Sequence, residues 1–388
     1  MPEIDGQERQ NHNQQFQERV WIDSNEKLHD CCSVLRAASA VAVDTEFMRT
    51  DTFYPIAALV QISNGINSYL IDPLEINNFD PLIELFQNQS VVKVFHACSE
   101  DLEVFNHFLE CIPSPLVDTQ IAAGLLNYGS SLGYASLVNE LLGVELEKGE
   151  TRSNWLKRPL AEKQCAYAMD DVLYLLDVYQ KLISELKEKD RLHWFEEECE
   201  VLLQSANEPV QPAEYFRRIK SAWKLSRKDL SVLKSLSEWR ENKARDKNLP
   251  RNHVLHERVI FELAMQKPTE HADLRNIKDF HSRKINEYGE AVLSIISNSL
   301  DVEESEWPDR LPSPLPSSQK NLMKSLKAKV LEVAEQIDLS PEVMAKKADY
   351  EFIVRSGMTG GEYELPPRMK GWRFSVVGKP LLAVVKGE

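Results

Sequence analysis

Between residue 39 and about residue 125, short apolar runs alternate with stretches in which apolar positions recur at helical spacing. SAVAVDTEF, AALVQISN, SYLIDP and VVKVFHA have the length and β-branched content of strands, whereas DPLIELFQN and SEDLEVFNHFLE repeat with the period of a helix. Three strand signals separated by short breaks, then strands separated by helices, predict an α/β domain whose mixed sheet opens as an antiparallel meander and continues in parallel. From 132 to about 204 the pattern is helical throughout, and the proline-containing ANEPVQPAEYF at 206–216 marks a boundary. A second helical block follows, with RKDLSVLKSLSEWRENKARDKN as its clearest amphipathic helix. SNSLDVEESEWPDRLPSPLPSSQK, at 297–320, reads as an extended linker because of its four prolines and its serines and acids. NLMKSLKAKVLEVAEQIDLSPEVMAKKADYEF predicts a smaller helical domain, and the tail GWRFSVVGKPLLAVV keeps enough apolar residues to dock. The expected organisation is an α/β domain over 1–205 (core about 20–195) followed by two small all-α domains at 214–297 and 319–388.

Composition narrows the class. With 388 residues and 43% hydrophobic content, the chain is long enough for two or three soluble cores. Its first twenty residues lack a basic start and an apolar run, and nothing approaches the roughly 18 uncharged apolar residues of a membrane helix, so a cytoplasmic protein without a membrane segment is expected. Six cysteines without a CxxC pair suggest buried small hydrophobes, not a zinc site. The net charge of −15 taken alone argues against a polyanionic partner. However, residues 215–251 hold twelve Lys/Arg against four Asp/Glu, a local +8 that leaves −23 for the remainder. That basic stretch is either a solvated helix surface or a face for nucleic acid.

Several acids stand where chemistry is expected. Asp44 and Glu46 are two apart in a strand and project from one face. They either bind a cation or lie in water past the strand end. Asp101 follows the strand VVKVFHA, where Ser99 would cap a helix and Glu100 and Asp101 would complement its dipole; a functional role requires the sheet order to bring it beside Asp44 and Glu46. Tyr167 and Asp171 share a helix face, a phenol above an acid, which suits metal-assisted hydrolysis as well as ordinary packing. Asp170 is rotated away by about 100°. In GETRSNWLKRPL, Arg152, Trp155, Lys157 and Arg158 interleave basic groups with an indole, a pattern for phosphate contact and base stacking or for a core tryptophan with surface charges. Phe47 and Met48 adjoin the acids, with core packing the expectation for Phe47. His96 reads as a satisfied structural residue and Asp118 as a helix cap or outer support.

Asp44-Thr45-Glu46, Asp101 in HACSEDL and Tyr167-xxx-Asp171, in this order, resemble the three motifs of the DEDDy exonuclease superfamily. The wider wording, DTEFMRTDTFYPIAALVQIS, FHACSEDLEVF, DTQIAAGLL and RPLAEKQCAYAMDDVLYLL, is similar to the ribonuclease D family over roughly 30–190. That resemblance implies a ribonuclease-H-like sheet, with Asp44, Glu46, Asp101 and Asp171 binding two divalent cations, Mg²⁺ or Mn²⁺, and Tyr167 positioning the attacking water. Residues 214–297 resemble an HRDC domain, the helical module shared by helicases and ribonuclease D, which makes Arg217, Arg218, Lys220, Lys224 and Arg227 candidates for RNA-backbone contact. Family architecture implies a second HRDC-like copy at 319–388. The implied function is 3′→5′ exoribonucleolytic trimming of RNA with a free single-stranded 3′ end, precursor tRNA above all, releasing nucleoside 5′-monophosphates from a monomeric enzyme. A DNA exonuclease built on the same acids and a nonenzymatic RNA-binding adaptor are the alternatives; intact acids and tyrosine speak against the adaptor.

Overall fold

The computed structural model describes residues 18–147, 149–150, 153–358 and 360–387. They fall into two compact units, one comprising the chain to residue 48, 56–207 and 315 onward, the other 49–55 and 208–314.

The first unit is built on a six-stranded sheet of β1 (Glu18–Ile22), β2 (Ala40–Met48), β3 (Ile56–Ser63), β4 (Asn67–Ile71), β5 (Val92–Phe95) and β6 (Leu116–Asp118), in the order β1-β4-β3-β2-β5-β6. β2, β3 and β4 form the expected antiparallel meander, and β5 and β6 extend it in parallel from β2. β1, paired in parallel with β4, was not anticipated, because ERVWI carries two charges in five residues; β6, with three residues, is too short to leave a pattern. Alternation on β2 decides its register. Val41 and Val43 enter a core on one face, while Ala42, Asp44 and Glu46 point to the other. A slip of one residue would drive both acids into apolar packing, so the register is strongly specified.

Helices α1 (Asn25–Leu35), α2 (Asp80–Gln87) and α3 (Ser99–Leu109) cover the valine face through Leu28, Leu35, Leu82, Phe86, Leu102 and Phe105. After α4 (Thr119–Leu125) and α5 (Tyr134–Leu142), the expected helical continuity is interrupted over 143–161, then resumes as α6 (Glu162–Leu173), α7 (Leu175–Glu188) and α8 (Leu192–Asn207). α6 crosses the carboxylate face, with Cys165 and Ala168 packing with Leu59 and Leu70, and Val172 with Ala42 and Val94. Lys93, buried at the centre of β5, directs its ammonium to the carbonyls of Asn88 (2.9 Å), Val91 (2.8 Å) and Ser114 (2.5 Å), which uses all three donors.

The second unit contains α9 (Arg227–Asp246), α10 (Glu257–Gln266) and α11 (Ser282–Leu300) around Leu230, Leu233, Ile260, Leu263, Ile285 and Val292. Ser226 and Asp229 form a capping box at the start of α9. Asn248, left-handed at φ 48°, follows the helix and accepts from the backbone N–H groups of Phe53 and Tyr54, both at 3.0 Å. The stretch expected as a linker is tied down: α11 runs on through Leu300, and Arg227 donates to the carbonyls of Glu304 (3.2 Å), Trp307 (3.1 Å) and Pro308 (3.3 Å).

In the first unit, α12 (Lys320–Ile337), α13 (Lys347–Met358) and α14 (Lys379–Lys386) share one core with α4, α5, α7 and α8; Leu326, Val330, Ile353 and Leu381 meet Leu137, Val138, Leu182 and Phe195 there. The tail docks as expected. Trp372 stacks on Trp194 (4.6 Å between centroids, 12° between planes) and donates from Nε1 to Glu198 (2.9 Å). Among the described residues, no helix is long and apolar enough to cross a membrane.

Candidate active site

The sheet register and the crossing of α6 bring Asp44, Glu46 and Asp171 together, each offering a carboxylate oxygen, with these atoms all within 4.8 Å of one another. The charges acting on each are those of other carboxylates: Asp101, Asp171 and Glu46 on Asp44, Asp171 and Asp101 on Glu46, Asp170 and Asp101 on Asp171. Burial, the largest cause, adds to this repulsion. It holds Asp44 well above the usual carboxylate range, Glu46 at about 8 and Asp171 at about 7. Hard oxygen donors packed this closely without a compensating cation fit a divalent metal ion.

Asp101 reaches this site differently. It lies in the first turn of α3, 8% exposed, and accepts a hydrogen bond from Thr45 Oγ1, the β2 residue between Asp44 and Glu46. Its carboxyl is raised to about 6 by burial, with the Thr45 bond opposing the rise. Asp101 is therefore joined to the site by charge and through Thr45, outside the group of three carboxylates. Thr45 was not singled out in the sequence. Ser99 does not cap α3, whose cap position is Cys98 with no side-chain bond. The turn is held instead by Asp118, which accepts from the N–H groups of Ala97 (2.9 Å) and Cys98 (3.0 Å) while capping α4 through Gln120 N (2.8 Å). Asp118 thus aims the turn that delivers Asp101.

Tyr167 stands one helical turn before Asp171. Burial and the charges of Asp171, Glu46 and Asp44 push its phenol well above the ordinary value, so it stays protonated near neutral pH. Asp170 is outside the cluster. His96 has both ring nitrogens occupied, by Thr119 Oγ1 (2.9 Å) and the Leu132 carbonyl (3.0 Å). Phe47 is half-buried beyond the bulge that follows Glu46, and Met48 packs in the cluster of Leu59, Leu70 and Ala168.

The expected RNA contacts separate into two kinds. Trp155 is 1% exposed in the same cluster as Ala168 and Tyr167, so the expectation of base stacking is corrected: its ring has no free face. Arg158 is likewise a framework residue, forked onto Asp72 (2.5 and 2.7 Å) and bonded to the carbonyls of Trp155 (2.7 Å) and Ala58 (2.6 Å). Lys157, Arg217, Arg218 and Lys220 are exposed, Arg217 in an ion pair with Glu214. Arg152 lies outside the described residues.

Residues 19–187 match the family model described as a 3'-5' exonuclease, and 229–296 match that of the HRDC domain. Ribonuclease D of Pseudomonas paraeruginosa is 43% identical over 362 residues, covering 93% of this chain and 96% of the relative. Ribonuclease D of Escherichia coli is 34% identical over 366 residues, with 93% and 96% covered. The crystal structure of Escherichia coli RNase D, described as an exoribonuclease involved in structured RNA processing, superposes with a TM-score of 0.88 at 32% identity, covering 95% of this chain and 99% of the other. Fold, site and family model together define a hydrolytic 3′→5′ exonuclease. Within that class the chain belongs to the ribonuclease D family, and it is a 3′→5′ exoribonuclease.

Proposed function

We propose that Asp44, Glu46, Asp101 and Asp171 hold two divalent cations, Mg²⁺ or Mn²⁺, and that Tyr167 orients the attacking water. The reading rests on one observation above all, the three uncompensated carboxylates of Asp44, Glu46 and Asp171 converging within 4.8 Å. Two such ions, when bound, lower the pKa of water and neutralise charge on the departing 3′ oxygen. The chain supplies the rest. A protonated Tyr167 hydroxyl accepts from and donates to a water at the carboxylates, and Thr45 fixes the rotamer of Asp101.

The substrate is RNA with a free single-stranded 3′ end, precursor tRNA in particular, released one nucleoside 5′-monophosphate at a time by a monomer acting in the cytoplasm. Arg217, Arg218, Lys220 and Lys224 of the HRDC domain (214–297) contact the phosphates, and so, separately, does Lys157 of the nuclease unit, giving affinity without sequence choice; Arg227 is instead occupied by the carbonyls of Glu304, Trp307 and Pro308. Exposed Trp223, with the Lys224 ammonium 5.5 Å from its ring centroid, supports a nucleic-acid surface. Residues 319–388 are assigned as an HRDC-like region that shares the core of the nuclease unit. The test is a 5′-labelled RNA with a single-stranded 3′ tail, and its DNA counterpart, incubated with Mg²⁺, Mn²⁺ or EDTA, using wild type and Asp171→Ala. A metal-dependent ladder on RNA, absent in the variant and weak on DNA, is expected. Tight RNA binding without shortening would sink the metal-site reading, and faster loss of DNA would move the substrate to DNA.

A further inference from the structure

β3 is buried along nearly its whole length, yet carries a carboxamide at its centre. Gln61 is 0% exposed, and neither its Oε1 nor its Nε2 has a hydrogen-bond partner. Leaving one such group unpaired in a core costs about 1–3 kcal/mol, whereas a Leu or Met of similar volume carries no such cost. The neighbours of Gln61 show what a carboxamide gains there. Directly across the antiparallel pair stands Asp44, on the same face. Cβ atoms of such a pair lie about 4.5–5.5 Å apart, a distance within reach of a Gln and an Asp side chain. On the opposite flank Gln61 is paired with Leu70, an apolar residue. Along β3 its same-face neighbours are Leu59, also apolar, and Ser63, whose Oγ already accepts from Gly65 N (3.1 Å).

We propose that Gln61 is a positioning residue of the metal site: its Nε2, unpaired in this structure, donates to the Asp44 carboxylate once a cation is bound there. The inference rests on the cation-binding reading of Asp44 given above. Carboxylates that bind a metal are themselves held by hydrogen-bond donors, and such partners typically change metal affinity 10–100-fold. A neutral amide suits this place better than a lysine or arginine. It fixes the orientation of Asp44 without cancelling the negative charge that attracts the cation, and the same bond satisfies the otherwise unpaired Nε2.

The experiment compares wild type, Gln61→Met, Gln61→Asn and Asp44→Asn, all as the full chain, by calorimetric Mn²⁺ titration and by melting in EDTA. Wild type is expected to bind Mn²⁺ and Asp44→Asn to lose that binding. Gln61→Met is expected to melt at or above the wild-type temperature without metal, because an unpaired amide is gone, and to bind Mn²⁺ about 10–100-fold more weakly. Gln61→Asn, whose amide is one methylene short, is expected to bind weakly as well, and it decides the matter alone should Gln61→Met fail to fold. Unchanged Mn²⁺ affinity in the folded Gln61 variants overturns the role of Gln61 while the cation site stands, the result a purely structural glutamine would give. Wild-type protein that binds no Mn²⁺ overturns the site and the inference with it.

Discussion

Glu46 shows in one side chain what the site demands of the fold. Its carboxyl lies at about 8, Asp171 at about 7 and Asp101 at about 6, each raised first of all by burial. Raised values mean that the metal-free folded state holds protons which the unfolded chain has released, so these groups favour folding below about pH 4 and progressively oppose it as pH climbs through 6, 7 and 8. The melting temperature in EDTA should therefore fall between about pH 5 and pH 9, and saturating Mg²⁺ should flatten the curve; a metal-free melting temperature that rises over this interval contradicts the account. Tyr167 allows a cleaner separation. Tyr167→Phe keeps the ring in its cluster and removes only the hydroxyl, so kcat should drop on the order of 10²-fold, with Mn²⁺ affinity and melting temperature held; an equal loss of metal affinity would show that the phenol helps hold the ion. Asp44, Glu46, Tyr167 and Asp171 were legible as candidates because strand and helix periods put each pair on one face. Trp155 was not legible, since burial of an indole in an irregular segment depends on packing from Leu59, Leu70 and Ala168, distant in sequence. Gln61 left a signal that went unread, a lone amide inside the apolar run AALVQIS.

At the scale of elements, the adjacency of β5 and β2 turns a local feature into a functional one. Asp101 in its own segment is an ordinary acid in the first turn of a helix, and only the pairing of Ala40–Ala42 with Val92–Val94 puts that helix beside Thr45. No spacing in the sequence encodes that pairing, which is why the antiparallel meander was readable and the position of Asp101 was not. Asp118 makes the arrangement testable. Its carboxylate satisfies three backbone N–H groups, those of Ala97 and Cys98 in the β5–α3 turn and that of Gln120 in the first turn of α4, and Ala97 sits at φ 59°, which a non-glycine residue adopts only under constraint. Asp118→Ala should cost about 2 kcal/mol or more in urea unfolding, from the lost cap and two further unpaired donors. It should also lower exonuclease activity measured well below the unfolding midpoint, because the turn that aims Asp101 is released. Full activity in a folded Asp118→Ala protein would mean that the turn holds itself.

For the molecule as a whole, the division into units does not follow the order of the chain. Composition marks a basic stretch at 215–251 in an acidic chain, but the C-terminal helices expected to stand as a domain of their own contribute about half of a core whose other half lies before residue 208. Amphipathic periodicity announces that a helix has an apolar face; it carries no information about which partner covers that face. The consequence is a sharp expectation for truncation. Ending the chain at 314 strips Leu326, Val330, Ile353 and Leu381 from the core and leaves Leu137, Val138, Leu182 and Phe195 to water. Arg191 would lose the carbonyls of Ile337 and Asp338 while still bonded to Leu125 O (2.7 Å), leaving part of a buried guanidinium unpartnered. Each fully buried aliphatic or phenyl side chain exposed in this way forfeits about 1.5–3 kcal/mol, so four of them account for a large part of the 5–15 kcal/mol by which a whole domain is stable. The truncated protein should therefore melt far below the full chain or fail to unfold cooperatively, and its exonuclease activity should vanish with the fold even though every carboxylate of the site is retained. Cooperative melting at the full-length temperature would show instead that the nuclease unit closes its core without help from the C-terminal helices.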